Sequence, residues 1–447
     1  MSEEQKSSYD KSVERRYYAL CEERGYFELD GNKGIQKKGK NFCIMMPPPN
    51  VTGVLHIGHA LTFTLQDIMT RYKRMDGYRV LYQPGLDHAG IATQNVVERQ
   101  LLAQGIHKES LGRAEFVKKV WAWKEQSGGK ITEQMRALGI TPAWSRLRFT
   151  MDTGLANAVK KAFVDLYDKK LIFRADKMIN WCTHDGALSD IEVQHEENAG
   201  KLYYLRYFLK DSDEFVVVAT TRPETYFGDT AVMINPQDER YKHLLGKKVL
   251  LPLVNKELDI IADEYVDMSF GTGVVKVTPA HDSNDYEVGL RHDLEFLTIF
   301  DEKGILNEHC LEFKGLERLE AREKIVARLQ EKGYVEKIED YTNQVGYCYR
   351  CHNVVEPYIS KQWFVSKDIA RESIEKVNSG QMKFFPSHWI NSYNAWMRDL
   401  RDWCISRQLW WGHQIPVYYC ECGAEFASEN EPSKCPKCGG TRFRQDE

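Results

Sequence analysis

The sequence predicts an α/β fold: a doubly wound domain with a parallel sheet, split by a β-rich insertion, with cysteine knuckles in its last hundred residues. Three observations carry this. Between residues 41 and 104, short apolar runs alternate with helical periodicity, the strand–helix–strand–helix order that builds parallel sheets. Between about 195 and 345, apolar runs of strand length are separated by turn residues. Six cysteines then fall in two groups, Cys348 with Cys351, and Cys420, Cys422, Cys435 and Cys438. In a chain without a secretory signal, such spacing reads as metal ligation and not as disulfides.

Composition sets the outer limits. The 447 residues correspond to roughly three domains at about 150 residues each. With 42% hydrophobic and 12% aromatic residues, sizeable cores are available and a disordered chain is excluded. Lys and Arg number 61 against 65 Asp and Glu, a net charge of −4. That balance excludes a globally basic nucleic-acid binder, while leaving local patches able to contact phosphate. No apolar run approaches the roughly 18 residues that span a bilayer, and the first residues lack a signal-peptide core. A cytosolic protein without a membrane partner is expected.

The elements follow in order. Asn41 to Met46 is a short apolar run ended by three prolines, hence a buried strand. Helical periodicity runs from Gly58 to Met75, a second buried strand from Arg79 to Gly85, and a helix from Ile91 to Gln104. Residues 113–172 read as mainly helical. Leu202–Leu209, Phe215–Thr221, Val249–Val254 and Gly273–Thr278 read as strands, and Glu317–Lys332 as a helix. An aromatic-rich helical stretch is expected from Trp389 to Trp411, then a strand in HQIPVYY. The expected divisions are 1–194, 195–345 and 346–447.

The most informative segment is MPPPNVTGVLHIGHA, Met46 to Ala60. A strand runs into a turn and then into a helix start, whose free N–H groups and partial positive charge suit a phosphate. Gly53 and Gly58 allow the backbone to approach a ligand closely. His56 and His59 lie on one side of the turn, where they could donate hydrogen bonds to charge building on a polyphosphate. As a bare pair they would read as ordinary surface histidines.

In these residues the chain resembles the class I aminoacyl-tRNA synthetases. PNVTGVLHIGH, Pro49 to His59, matches their HIGH signature, and the three prolines with NVTG are similar to the valyl branch. The resemblance implies a Rossmann-like nucleotide-binding domain in which Pro49, Asn50, His56, Gly58 and His59 bind ATP with its Mg2+. It also implies that His56 and His59 stabilise the pentacoordinate α-phosphate during adenylate formation.

PGLDHAGIATQ, Pro84 to Gln94, sits at the end of the second strand, where doubly wound sheets place ligands. Asp87 could pair with an ammonium group, or serve as a turn or cap residue. The resemblance implies that Asp87 and Asn50 hold the amino group of valine and that Pro47 and Pro48 wall the pocket. Asp402 to Tyr419, DWCISRQLWWGHQIPVYY, is a further match to the valyl, isoleucyl and leucyl group. Trp410 and Trp411 are expected to pack and receive no catalytic role.

TTRPET, Thr220 to Thr225, and GTGVVKVTPAHDSNDYEVG, Gly271 to Gly289, read by themselves as polar loops at strand ends. Together they resemble the hydrolytic editing domain of the same family. The resemblance implies that Asp285 holds the substrate ammonium, that Asp282 and Thr278 read its hydroxyl side, and that Thr221, Arg222, Phe270 and Lys276 line the pocket. An editing site has a physical reason. A hydrophobic pocket rejects threonine, nearly isosteric with valine, by only about a hundredfold, and the valyl enzymes are themselves the reference case for that limit. No Cys or Ser stands beside a His in a nucleophile motif, so attack by a positioned water is expected.

Cys420, Cys422, Cys435 and Cys438 suit tetrahedral zinc, although CECG is one residue short of the usual CxxC. Cys348 and Cys351 supply half of a second site. Related enzymes complete it from a segment like INWCPRCG; this chain reads INWCTHDG. By this resemblance Cys182 is a third ligand while the second Cys of the segment is missing; either His184 or Asp185 substitutes for it, or this zinc is lost.

Together these readings imply the N-terminal part of a monomeric enzyme that activates valine with ATP, joins it to tRNA(Val) and hydrolyses threonyl-tRNA(Val). A KMSKS-like loop occurs nowhere in the sequence, so the expected catalytic sheet is half present. The alternatives are an isoleucyl enzyme, against which DHAGIATQ argues, a free-standing editing hydrolase, and a zinc module that binds RNA.

Overall fold

The computed structural model describes residues 10, 12–31, 36–37, 39–269 and 271–446. The chain divides into two compact units, Met1–Leu166 with Leu409–Glu447, and Tyr167–Gln408. Among the described residues, no helix is long and apolar enough to cross a membrane.

The first unit begins with helix α1 (Ser12–Glu23). Strand β1 (Asn41–Met45) leads into α2 (Ile57–Met75), and β2 (Arg79–Gln83) returns parallel to β1, with Asn41 opposite Arg79 and Met45 opposite Gln83. Parallel neighbours need a crossover, and α2 supplies it. The prolines at 47–49 cannot donate to a ladder, so regular pairing stops there. It resumes once, as a parallel bridge between Asn50 and Asp87. Next come β3 (Gly85–Leu86), α3 (Gly90–Leu102) and α4 (Lys108–Ala137), which kinks at Gly112. Strand β4 (Arg148–Phe149) pairs parallel with β3, and α5 (Thr153–Asp168) follows. Phe63, Tyr82, Phe116, Val120, Ile131, Met135 and Trp411 form the core. Gly128 lets α4 lie close to β3: a Cβ there would stand 3.2 Å from the Leu86 side chain.

The second unit is mostly sheet. Its strands are β5 (Ile172–Cys182), β6 (Gly186–Leu188), β7 (Val193–Leu209), β8 (Phe215–Thr220), β9 (Ala231–Ile234), β10 (Lys248–Leu250), β11 (Glu257–Ala262) and β12 (Val274–Val277). Helices α6 (Ser283–Arg291) and α7 (Arg318–Glu331) precede β13 (Val335–Cys348) and β14 (Val355–Val365). Helices α8 (Arg371–Asn378) and α9 (Trp389–Arg398) and strand β15 (Trp403–Cys404) complete it. One sheet runs β12-β9-β11-β10-β7-β13 with β8 also on β7; a second runs β15-β14-β5-β6. The long β7–β13 ladder keeps register from Val193–Cys348 up to Tyr204–Lys337. In the last segment of the first unit, β16 (Val417–Cys420) is flanked by β17 (Glu425–Ala427) and β18 (Phe443–Gln445).

Four expectations are corrected. Strand β1, expected to be buried, alternates exposed and half-buried residues, because its sheet has two strands among the described residues. The helix expected from Trp389 to Trp411 ends at Arg398. The chain bends at Trp410–Gly412 instead of continuing a helix: both tryptophan amides bond to the Gln94 Oε1, at 2.8 and 3.2 Å, while the Trp411 indole is fully buried. The strand expected over Val249–Val254 stops at Leu250, where Pro252 and the left-handed Leu253 and Asn255 (φ 62° and 58°) turn the chain. The strand in HQIPVYY begins only at Val417, after Pro416.

Candidate functional site

His56 is the N-cap of α2. Its Nδ1 accepts from the Gly58 amide at 3.1 Å, while the His59 Nδ1 accepts from the His56 amide at 3.3 Å. This reciprocal cap satisfies helix-start donors with imidazoles where a Ser–Glu pair usually serves. It also fixes the tautomer. An accepting Nδ1 carries no proton, so both rings hold theirs on Nε2. The ring centroids are 3.9 Å apart. Partial burial and the neighbouring His56 lower the His59 pKa, which keeps that ring neutral. Gly58 has a local reason beyond ligand approach: a Cβ there would meet the His56 ring at 3.0–3.1 Å.

Asp87 leaves the parallel bridge one residue before His88. Its Oδ1 accepts from the Ala89 amide at 3.0 Å and the Thr150 hydroxyl at 3.2 Å, with the His88 Nδ1 at 3.3 Å. The His88 contact chiefly lowers its pKa against the opposing effect of burial. Asp87 is thus a carboxylate anchored through Oδ1, with its side chain 36% exposed. Ala89 takes a left-handed conformation, φ 47°, to start α3. The Trp411 indole N–H bonds to the His88 carbonyl at 2.9 Å, which ties DHAGIATQ to WWGH. Pro47, Pro48 and Asn50 are exposed and Pro49 is buried. Sequence reasoning missed Thr150 and His88, whose roles depend on contacts 62 and 63 residues apart.

In the second unit, Lys276, Thr278, Asp282 and Asp285 gather at the end of β12 and the start of α6. Asp282 is the helix cap; its Oδ1 accepts from the Asn284 and Asp285 amides at 2.8 and 3.1 Å. Asp285 instead turns back to accept from the Thr278 amide at 2.8 Å. Burial, and then Asp282, push its pKa up to about 7, against the pull of Lys276. Lys276 reaches the fully buried Asp229 at 3.0 Å and also bonds to the Thr278 hydroxyl, which itself donates to Asp229 at 2.6 Å. The Tyr207 hydroxyl donates to the other Asp229 oxygen at 2.6 Å. Asp229 and Tyr207 carry no sequence signal beyond sitting in sheet-forming stretches.

Thr221 is half-buried at the turn after β8. Arg222 bonds to the His281 carbonyl at 2.7 Å and pairs with Glu356. Arg318 holds the second Glu356 oxygen at 2.6 Å, and Arg322 holds the buried Glu224 at 2.7 and 2.8 Å. TTRPET is therefore knitted into a network of paired charges. Burial lowers the His281 pKa well below its usual value. Phe270, expected to line this pocket, lies outside the described residues.

The sulfur atoms of Cys420, Cys422, Cys435 and Cys438 all lie within 4.8 Å of one another, with Cys420–Cys438 at 3.6 Å and Cys422–Cys435 at 3.8 Å. Zinc–sulfur bonds of about 2.3 Å in a tetrahedron require S···S separations of about 3.8 Å, so this set is compatible with zinc despite the short CxC. The second group consists of Cys182, Asp185, Cys348 and Cys351. Cys182 and Cys351 are 3.4 Å apart, and Cys348 lies 3.2 Å from the Asp185 Oδ2. Asp185 is buried, while the His184 side chain is 53% exposed and stands against Asp185 Oδ1, outside the group.

The profile of the tRNA synthetases class I (I, L, M and V) matches residues 16–438, and the chain belongs to that family. The valine–tRNA ligase of Campylobacter jejuni (strain RM1221) is 77% identical over 439 residues, covering 98% of this chain and 50% of that protein. That of Wolinella succinogenes is 67% identical over 447 residues, covering 100% and 50%; that of Thermotoga maritima is 54% identical over 439, covering 97% and 50%. The chain spans about half the length of the curated relatives it matches.

A pH dependence follows from Asp285. Folded, it keeps its proton up to about pH 7; unfolded, it releases it near the ordinary value of about 4. Folding therefore loses stability as pH rises between those values. Asp285→Asn should become progressively more stable than the parent chain from about pH 4 to 7, and the difference should level off above. Urea unfolding across that range measures it, and a difference independent of pH would contradict the buried, raised carboxyl.

Proposed function

We propose that this chain supplies the adenylate-forming end and the proofreading unit of a ligase that joins valine to tRNA(Val). The carrying observation is the histidine cap. Because each Nδ1 is engaged by a backbone amide, two Nε2–H groups stand at the positive end of a 19-residue helix. Donors fixed in advance stabilise charge that grows in a transition state without reorganising. When the valine carboxylate attacks the α-phosphorus of ATP and pyrophosphate departs, His56 and His59 are placed to bond the phosphoryl oxygens. Mg2+ accompanies ATP and offsets its charge. Asp87, anchored through Oδ1 beside Asn50, holds the valine ammonium, and Pro47 and Pro48 wall the side-chain pocket. Membership of the family and the names of the relatives support valine as the amino acid.

In the second unit, Asp285 anchors the ammonium of a misacylated threonyl ester. Thr278 and Lys276 hold the strand end through Asp229, and Asp282 presents its second oxygen from the helix cap. Binding a cation there lowers the Asp285 pKa and ionises it. Zinc is held by Cys420, Cys422, Cys435 and Cys438, and by Cys182, Asp185, Cys348 and Cys351, where it cross-links distant segments.

Three measurements test this. In the full-length protein, His56→Ala or His59→Ala should slow valine-dependent ATP–pyrophosphate exchange on the order of 100- to 1000-fold with little change in valine binding; a tenfold or smaller loss for both would refute the assignment. Exchange with isoleucine in place of valine would refute the amino-acid choice. Asp285→Ala should leave valine charging near normal yet slow deacylation of pre-formed threonyl-tRNA by around 100-fold, the usual cost of about 1 Å of misplacement; an unchanged rate in the folded variant ends that role. Metal analysis should find two zinc ions per chain, falling to one in Cys435→Ser and losing occupancy at the other site in Asp185→Ala.

A further inference from the structure

The loop that carries the histidine pair has almost no ladder to hold it. Between the Asn50–Asp87 bridge and His56, one backbone bond reaches a strand segment, from the Val51 amide to the Asp87 carbonyl at 3.0 Å. The rest of the loop is held by side chains of α4. The Trp123 indole N–H donates to the Val51 carbonyl at 2.7 Å, the Ser127 hydroxyl to the Gly53 carbonyl at 3.0 Å, and the Leu55 amide donates to the Gln134 Oε1 at 2.9 Å. At 3.6 residues per turn, positions 123, 127 and 134 fall within about 40° on one helix face. Alternate loop residues 51, 53 and 55 thus meet successive points of a single rail. The rail is fixed in turn by Phe116, Val120, Ile131 and Met135, all buried in the core.

Gln134 holds the last amide before His56. We propose that Gln134, assisted by Ser127 and Trp123, is a positioning residue for adenylate formation: it fixes the loop end from which both imidazole Nε2–H groups are aimed. This rests on the ligase reading given above and adds to it a residue outside the signature. The physical requirement is that donors to a developing oxyanion be placed to within a fraction of an ångström, and a loop without a ladder cannot do that alone.

The test uses the full-length protein with two variants. Gln134→Glu keeps an acceptor oxygen at the same reach; Gln134→Leu removes it. The Leu variant should lose 10- to 100-fold in kcat for valine-dependent pyrophosphate exchange, with KM for valine within threefold because Asp87 is held independently. The Glu variant should stay within threefold of the parent. Hydrogen–deuterium exchange supplies a readout free of activity: the amides of Leu55 and Gly58 should exchange at least tenfold faster in the Leu variant and remain protected in the Glu variant. A Leu variant with kcat within threefold and unchanged amide exchange overturns the proposal. So does a Glu variant that fails as badly as Leu with a lowered Tm, which marks a purely structural side chain. A parent without valine-dependent exchange overturns the ligase reading instead, and amide exchange then decides by itself whether Gln134 holds the loop.

Discussion

The parallel pairing of Asn41–Met45 with Arg79–Gln83 determines where everything else in the first unit can go. Parallel strands send their C-terminal ends the same way, so the loops that follow them emerge side by side. Prolines 47–49 then deny the first loop a ladder, and the single Asn50–Asp87 bridge is what remains of strand order. Past that bridge the two segments part, one toward the histidine cap and one toward His88 and α3. The placement of the histidine cap and Asp87 on neighbouring loops is thus a consequence of strand direction before it is a matter of any side chain.

The second unit meets a different constraint. It places Asp229, Glu224 and Glu356 at 0–1% exposure, where an unpaired carboxylate would be very costly. Each is matched: Asp229 by Lys276, Thr278 and Tyr207, Glu224 by Arg322, Glu356 by Arg222 and Arg318. Removing one partner from such a set exposes the penalty of the other, so these residues specify the arrangement of the strand ends more than they add stability. Two residues read from the sequence as pocket lining, Lys276 and Arg222, have their charge engaged in this way.

Local chemistry was legible and long-range chemistry was not. The helix start at His56–His59 could be read because strand, turn, glycine and histidines lie within fifteen residues; that the imidazoles cap each other could not, since it depends on ring orientation. Asp87 was recognisable from its place at a strand end, but Thr150, Trp411 and Gln134 reach their loops from 63, 323 and 79 residues away. The aromatic run to Trp411 reads as a helix because periodicity cannot see the Gln94 amide that captures it. INWCTHDG lacks a second thiol at the expected spacing, and geometry alone separates Asp185, turned inward, from the exposed His184. Asp282 and Asp285 are three residues apart, and only the structure divides them into helix cap and inward carboxyl.

The pairing around Asp229 and Glu356 also bears on departure. With Lys276 held by Asp229 and Arg222 by Glu356, the cations beside Asp282 and Asp285 are already neutralised. In the proofreading role proposed for this unit, an aminoacyl ester arrives carrying a positive charge alone, which two acidic side chains welcome. Hydrolysis turns the ester into a carboxylate and shifts the buried Asp285 back toward its protonated form. A protonated Asp285 no longer pairs with the product's ammonium, and the new carboxylate meets cations already held by Asp229 and Glu356, so the same reaction that cuts the bond also weakens the hold on its product.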